Sequence, residues 1–350
     1  MKMIELQNAY LAGKLEKKLY WTVMREQYTH ILAEMQEMLA SNKECRSIQL
    51  TKNGCILEKE SGLKLYFSFA DAISRAEMDL LNASDPEKSE MDLVNAFIQR
   101  TGCTTVFDIG ANVGMYSLEL WQKHKEVNYY IFEPIPTTYE KLLKTIDLNS
   151  AFSERMHTYN LGMSDRTGSF DFYLPGASSA ASLQPITDDF YLKKSNQSGS
   201  YTGSKEMEKV ACQLTTLDSF VKENGIDKID FIKIDVEGNE KFVLEGGKET
   251  LEKYRPLVYT ELLRKHAKRF GYHPNDVIDF MKRFDYACFT IREGSLTEVD
   301  RIEATTEETN FFFLCEKFEP FYREYASECG GGLYCDLVAN RNMDAETCLV

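Results

Sequence analysis

The 350-residue chain is 43% hydrophobic and 27% charged, a balance that supports a full buried core and excludes a disordered class. Its formal net charge of −14 repels polyphosphate, so nucleic acid is not an expected partner. No stretch of about eighteen apolar residues occurs, so no membrane span is expected.

The length suits one large domain or two modest ones. The opening residues lack an apolar core followed by a small-residue cleavage site, so they do not read as a secretory signal. Nine cysteines is an odd count, and Cys288 and Cys315 sit inside apolar strand-like runs. Buried thiols in a reducing compartment fit that pattern better than a disulfide framework, and the cytoplasm is the expected location.

In chain order, residues 4–40 carry a helical stripe in which Met24, Tyr28, Ile31, Met35 and Met38 recur every three or four positions. Covering a core edge is the expectation for such a stripe, and a homo-oligomer through this helix is the alternative. RSIQLTKNGCILEKE predicts a hairpin turning at Asn53-Gly54, with GLKLYFSF as a third strand. A helix should begin near Asp85-Pro86 and run through Met91, Val94, Phe97 and Ile98. From about residue 103 to 317, TTVFDIG, NYYIFEP, MHTYNLGMS, IDFIKIDVEG and PLVYTEL read as five buried strands. Helices are predicted between them over 114–124, 136–148 and 239–253. This alternation implies a parallel sheet with helices on both faces. YACFTIRE and NFFFLCEK have no convincing helix between them and should pair antiparallel at an edge.

Residues 175–208, rich in Ser, Gly and Lys, read as a mobile loop or lid. The tail holds Cys329, Cys335 and Cys348 without a histidine or CxxC spacing, so no zinc site is expected. The expected organisation is a helical extension over 1–46, a β/α lead-in over 47–101, a catalytic domain over 102–317 and a tail over 318–350.

The chemistry concentrates at strand ends. In VFDIGANVGMYS a strand runs into Asp108, then Gly110, Ala111, Asn112 and Gly114, before a helix begins. Ligands of open α/β sheets bind there, where glycines let the backbone approach. Asn112 replaces the middle glycine of the dinucleotide fingerprint and would crowd a pyrophosphate, which argues against NAD. An acidic residue followed by GxNxG suits a ligand with a positive amino group and no phosphate. Glu133, at the end of the second strand, is placed to accept hydrogen bonds from a ribose diol. Ser164 and Asp165, after the third strand, fall where a polar loop group meets an adenine amino group, although the same residues also suit a plain turn. On the fourth strand Lys233 and Asp235 share one face, and Glu237 follows in the turn. A buried charged pair must be partnered or used, and Asp235 stands at the carboxyl end where a site belongs. Glu261 repeats the pattern on the next strand. No pair of histidines has metal spacing, and only His266, five residues beyond Glu261, is a candidate for proton transfer.

TTVFDIGANVGMYS, YIFEPIPTTYEKLLKTIDLN, FIKIDVEGNEKFVLEGG and RPLVYTEL, in that order, resemble the FkbM family of methyltransferases. The likeness covers residues 47–316 and includes the approach segment PEKSEMDLVNAFI. It implies the class I methyltransferase fold, a seven-stranded, mostly parallel, Rossmann-like sheet. It also implies S-adenosylmethionine as cofactor, with Asp108, Gly110, Asn112 and Gly114 near the amino-acid end, Glu133 on the ribose and Asp165 near the adenine. The implied reaction methylates a hydroxyl of a small molecule or glycan. In-line displacement from a sulfonium asks the protein for positioning and for a base, and Asp235, then Glu261 and His266, are the candidates. Two other classes stand beside this one: a nicotinamide-dependent oxidoreductase, disfavoured by Asn112, and a non-catalytic Rossmann-like binding protein. The long amino-terminal helix, the 175–208 insertion and the tail depart from the family pattern and leave substrate choice and assembly open.

Overall fold

A computed structural model describes residues 2–68, 78, 80–82, 88–150, 154–174, 181–185, 208–292 and 294–328. Two helices, α1 (Met3–Leu11) and α2 (Lys17–Ser41), stand where one was predicted. The break follows from Gly13, whose φ of 68° ends α1 in the left-handed conformation typical of a helix terminus. The Tyr10 and Tyr20 rings then stack at 4.3 Å and fold the two helices together. The apolar stripe covers a core edge only at its ends. Met24 is buried with Leu6 and Tyr20, and Leu39 packs on the neighbouring sheet, but Tyr28 and Ile31 are 52% and 44% exposed.

Next come β1 (Cys45–Thr51), β2 (Gly54–Lys59) and β3 (Lys64–Phe67), an antiparallel meander whose first turn is closed by Thr51 and Gly54, as the Asn53-Gly54 signal predicts. Helix α3 (Lys88–Thr101) buries Leu93, Val94, Phe97 and Ile98; its predicted onset near Asp85-Pro86 lies outside the described residues.

The main body follows: β4 (Thr105–Ile109), α4 (Met115–Lys123), β5 (Asn128–Phe132), α5 (Pro136–Leu148), β6 (Met156–Tyr159), β7 (Gly162–Met163), β8 (Gly168–Leu174), β9 (Glu208–Thr215), α6 (Leu217–Glu223), β10 (Phe231–Ile234), α7 (Glu240–Glu245), α8 (Lys248–Tyr254), β11 (Leu257–Glu261), α9 (Arg264–Arg269), α10 (Pro274–Lys282), β12 (Tyr286–Arg292), β13 (Ser295–Glu298), β14 (Asn310–Cys315) and α11 (Glu319–Glu328). The large sheet has the order β13-β12-β14-β11-β10-β4-β5-β6. Five strands, β6 through β11 in that order, are parallel, and every residue of β4 and β10 is buried, as expected of strands covered on both faces. This is an α/β architecture built on a mostly parallel sheet.

Four details differ from the sequence reading. The sheet has eight strands rather than seven, because Ser295–Glu298 adds β13 at the edge; only Leu296 of that strand is buried, too thin a pattern to register as a strand. The antiparallel strand β14 is not at the edge but lies between β11 and β12, pairing antiparallel with both. The expected third strand divides: β6 stays in the main sheet, and β7 joins β8 and β9 in a small second sheet. The helix predicted over 239–253 breaks at Gly246-Gly247, where a Cβ on Gly246 would stand 2.1 Å from Ser164 O. The lid reading of 175–208 falls outside the described residues except at 181–185 and 208, as does the cysteine tail.

Six described cysteines, Cys45, Cys55, Cys103, Cys212, Cys288 and Cys315, are buried free thiols. Among the described residues no helix is long and apolar enough to cross a membrane, and no group of three acidic, histidine or cysteine side chains is placed to hold a metal.

Candidate active site

The crevice opens where strand order reverses, between β4 and β10, beyond their carboxyl ends. The chain leaves β4 through Gly110 (φ 84°), whose amide, like that of Ala111, donates to Phe132 O. A Cβ on Gly110 would meet Asp235 O at 1.9 Å, so glycine is what lets the β4 and β10 turns touch. Asn112 follows with φ 52°, a conformation its short polar side chain tolerates. Gly114 has φ 81° and serves helix packing. It begins α4, and a Cβ there would strike Leu142 of α5 at 2.3 Å.

Glu133 is the best-defined acid of the crevice. It is 6% exposed, and its two carboxylate oxygens accept from the amides of Asn112 (3.0 Å) and Ile135 (2.8 Å). Burial pushes its carboxyl up to about 7, against the pull of those two amides and of Lys233. The side-chain Oδ1 of Asn112 is also buried and has no hydrogen-bond partner among the described residues.

Asp108 lies elsewhere. It is fully buried, accepts from Ser117 Oγ at 2.6 Å and pairs with Lys233 Nζ at 3.3 Å. The two residues face one another in the β4–β10 register. Lys233 Nζ also donates to Gly110 O (3.2 Å) and stands 3.5 Å from Asp235 Oδ2. The costly pair predicted on the fourth strand is therefore a three-residue network joining the two turns.

The turns after β4, β5 and β10, together with the small sheet, line the crevice. Ile135, Phe172, Leu183 and Leu214 form an apolar stretch of the lining, to which Met163 adds, several of them from the small sheet. Asp235 and Glu237 are acidic members of the same lining, and Ser182 Oγ, beside Leu183, donates to Glu237 O at 3.1 Å. Of the residues singled out in the sequence, Gly110, Asn112, Glu133 and Asp235 line it. Asp108, Ala111, Gly114, Ser164, Asp165, Glu261 and His266 do not. Ser164 is buried and bonded to Asn239 and Asp165, whereas Asp165 pairs with Arg166 outside the lining. Glu261 sits on β11 opposite Asn310 of β14. His266 reaches the site indirectly, through Glu237, at 3.2 Å. Sequence reasoning missed the apolar part of the lining, because β7 and β9 are short or adjoin a polar stretch. It also passed over Glu237 as a site residue, although a glutamate before Gly238 at a strand end is a visible signal.

The Methyltransferase FkbM domain model matches residues 108–288, just over half of the chain. The chain is 30% identical over 156 residues to the 2-O-methyltransferase NoeI of Sinorhizobium fredii, covering 45% of this chain and 62% of that protein. It is 29% identical over 155 residues to the 31-O-demethyl-FK506 methyltransferase FkbM of Streptomyces tacrolimicus, covering 40% and 58%. It thus spans about 60% of the length of these relatives. The crystal structure of Methyltransferase FkbM from Methylobacillus flagellatus superposes with a TM-score of 0.37 at 14% identity, over 68% of this chain and 52% of that one, too distant to carry argument. The chain belongs to the FkbM methyltransferase domain family.

Proposed function

We propose that the chain transfers a methyl group from S-adenosylmethionine to a hydroxyl oxygen of a small molecule or glycan. The observation that carries this reading is Glu133: a buried carboxylate, fixed by two backbone amides, on the wall of a crevice at the topological switch point. Such a carboxylate keeps lone pairs for the two hydroxyls of a ribose. The apolar stretch around Ile135 and Leu214 suits a flat base, and the orphaned Asn112 Oδ1 suits a donor on the ligand. Asp235, which lines the same crevice, offers a carboxylate to an ammonium or a sulfonium. These residues fit the cofactor; Asp108 supports it at one remove, by holding Lys233 against the two turns.

The bound cofactor supplies an activated methyl on sulfur, so the chain's own task is to orient the acceptor, exclude water and accept a proton. Carboxylate assistance falls to the acidic members of the crevice lining, among which Asp235 stands with its side chain 42% exposed. The names of NoeI and FkbM, both O-methyltransferases, support oxygen as the target atom. The test is S-adenosylhomocysteine release with a panel of sugar and small-molecule hydroxyl acceptors. Release that requires one of them is the expected result; release with amine acceptors alone, or with none, contradicts the reading.

A further inference from the structure

Glu237 and Asn112 are the two non-glycine residues of the crevice lining with a left-handed backbone. The φ of Glu237 is 56°, a conformation that a residue with a side chain adopts at a cost that glycine avoids. The turn that imposes this conformation is held from several sides. Glu240 Oε1 accepts from the amides of Val236 (3.2 Å) and Gly238 (3.0 Å), and the Tyr272 hydroxyl lies 3.0 Å from both Glu240 Oε2 and Gly238 O. A strained residue held this firmly, with its side chain at a crevice, is a mark of function.

Behind Glu237 stands His266 of α9, buried, with Nδ1 3.2 Å from Glu237 Oε2. Its Nε2 is buried and has no hydrogen-bond partner among the described residues. Burial, with Arg269 and Lys265 in support, pushes the imidazole down to about 3, so the ring is neutral near pH 7. A neutral ring packed against the carboxylate can steer it, and can offer it the Nδ1 proton, without neutralising the charge. Asp235 is differently placed: its side chain is 42% exposed and Lys233 Nζ stands 3.5 Å from its carboxylate.

We propose that Glu237 is the catalytic residue that takes the proton from the acceptor hydroxyl, with His266 as the positioning residue behind it. This rests on the methyl-transfer reading. The acceptor O–H bond breaks and its proton passes to a Glu237 carboxylate oxygen. The oxygen's electron pair forms the new bond to the methyl carbon, and the carbon–sulfur pair returns to sulfur. The sulfonium charge is thereby lost, and the proton on Glu237 later leaves to solvent. The titratable groups around Glu237 are Asp235 and Glu240, which raise its carboxyl, Arg269 and Lys265, which lower it, and the His266 ring. Burial outweighs them all and pushes the carboxyl up to about 8, close to the pH at which a general base works best.

The experiment is an infrared titration of carboxyl groups in the S-adenosylhomocysteine complex of the full chain, on the wild type, Glu237→Gln and His266→Phe. It is paired with the pH dependence of turnover on the acceptor found by the panel above. A protonated-carboxyl band with a midpoint near pH 8 is expected, absent from Glu237→Gln and moved up by about one pH unit in His266→Phe, which lacks the Nδ1 donor. Turnover of the wild type should rise through the same midpoint, follow its shift in His266→Phe, and fall roughly a hundredfold or more in Glu237→Gln. A midpoint in the ordinary carboxylate range, a midpoint indifferent to His266→Phe, or wild-type turnover in Glu237→Gln overturns the proposal. If Glu237→Gln does not fold, the wild type and His266→Phe still decide it. Failure of the wild type to bind S-adenosylhomocysteine overturns the cofactor reading as well, whereas binding with an unmoved midpoint overturns this assignment alone.

Discussion

At the scale of single residues, the site depends on charges that the fold pairs before a ligand arrives. Asp108 and Lys233 face each other across adjacent strands, and the lysine also spans the Gly110 carbonyl and Asp235. Lys233→Met should therefore strand a fully buried carboxylate. We expect a loss of about 3–5 kcal/mol in a denaturant titration, whereas a loss below about 1 kcal/mol would show that Asp108 does not need its partner. This pair also marks where the sequence stops being legible. Asp108 reads there as a ligand group, because an acid at a strand end followed by glycines looks available. That a lysine 125 positions away occupies the facing place in the neighbouring strand is a fact of strand order and register, which no local pattern encodes. Glu133 was legible because its neighbours in the site, Asn112 and Ile135, are bound through backbone amides that any sequence supplies.

Among the elements, hydrophobic runs disclosed what is buried but not how it is ordered. Four of the five parallel strands, β4, β5, β10 and β11, were visible as apolar runs, since strands covered on both faces carry little else, whereas β6 buries only Met156. Strand β14 was visible as NFFFLCEK, but its place between β11 and β12 was not, because distant partners set it; β13 and β9 were missed because their apolar content is slight. The apolar stretch of the crevice lining depends on the small sheet around β9, through Phe172 and Leu214. Helix α3 shows how the outer layer is fixed. Phe97 is fully buried, and its ring meets those of Phe318 and Phe321 edge-on at 5.0 and 5.4 Å. Phe97→Ala should cost about 3–5 kcal/mol and loosen the carboxyl-terminal helix first. Hydrogen exchange would reveal this as lost protection in Phe321–Tyr325 ahead of β4; equal loss in both would mean that the helix is no separate unit.

For the whole molecule, buried acids tie stability to pH. Glu133, Glu237 and Glu240 have carboxyls raised to about 7, 8 and 7 by burial. Each binds its proton more tightly in the folded chain than in the unfolded one. The stability they contribute is full below the unfolded value of 4.5 and is lost as pH rises through 7 to 8. His124, His157 and His266 are lowered and act in the opposite sense, but only below their unfolded value of 6.5. Between pH 6.5 and 8 the glutamates act alone among these groups, so the melting temperature of the ligand-free protein should fall across that window and fall less in Glu237→Gln. A flat or rising melting temperature would contradict the burial assigned to these carboxyls.

Calorimetric titration with S-adenosylhomocysteine, on the wild type and Glu133→Gln, tests whether Glu133 receives the ribose of S-adenosylmethionine. Hydroxyls donate better to a charged carboxylate, so wild-type binding should be one-to-one and should tighten as pH rises through about 7, the value to which Glu133 is raised. Glu133→Gln should bind about 10- to 100-fold more weakly, with that pH dependence gone. No binding by the wild type, or equal binding by both proteins at every pH, would contradict the account.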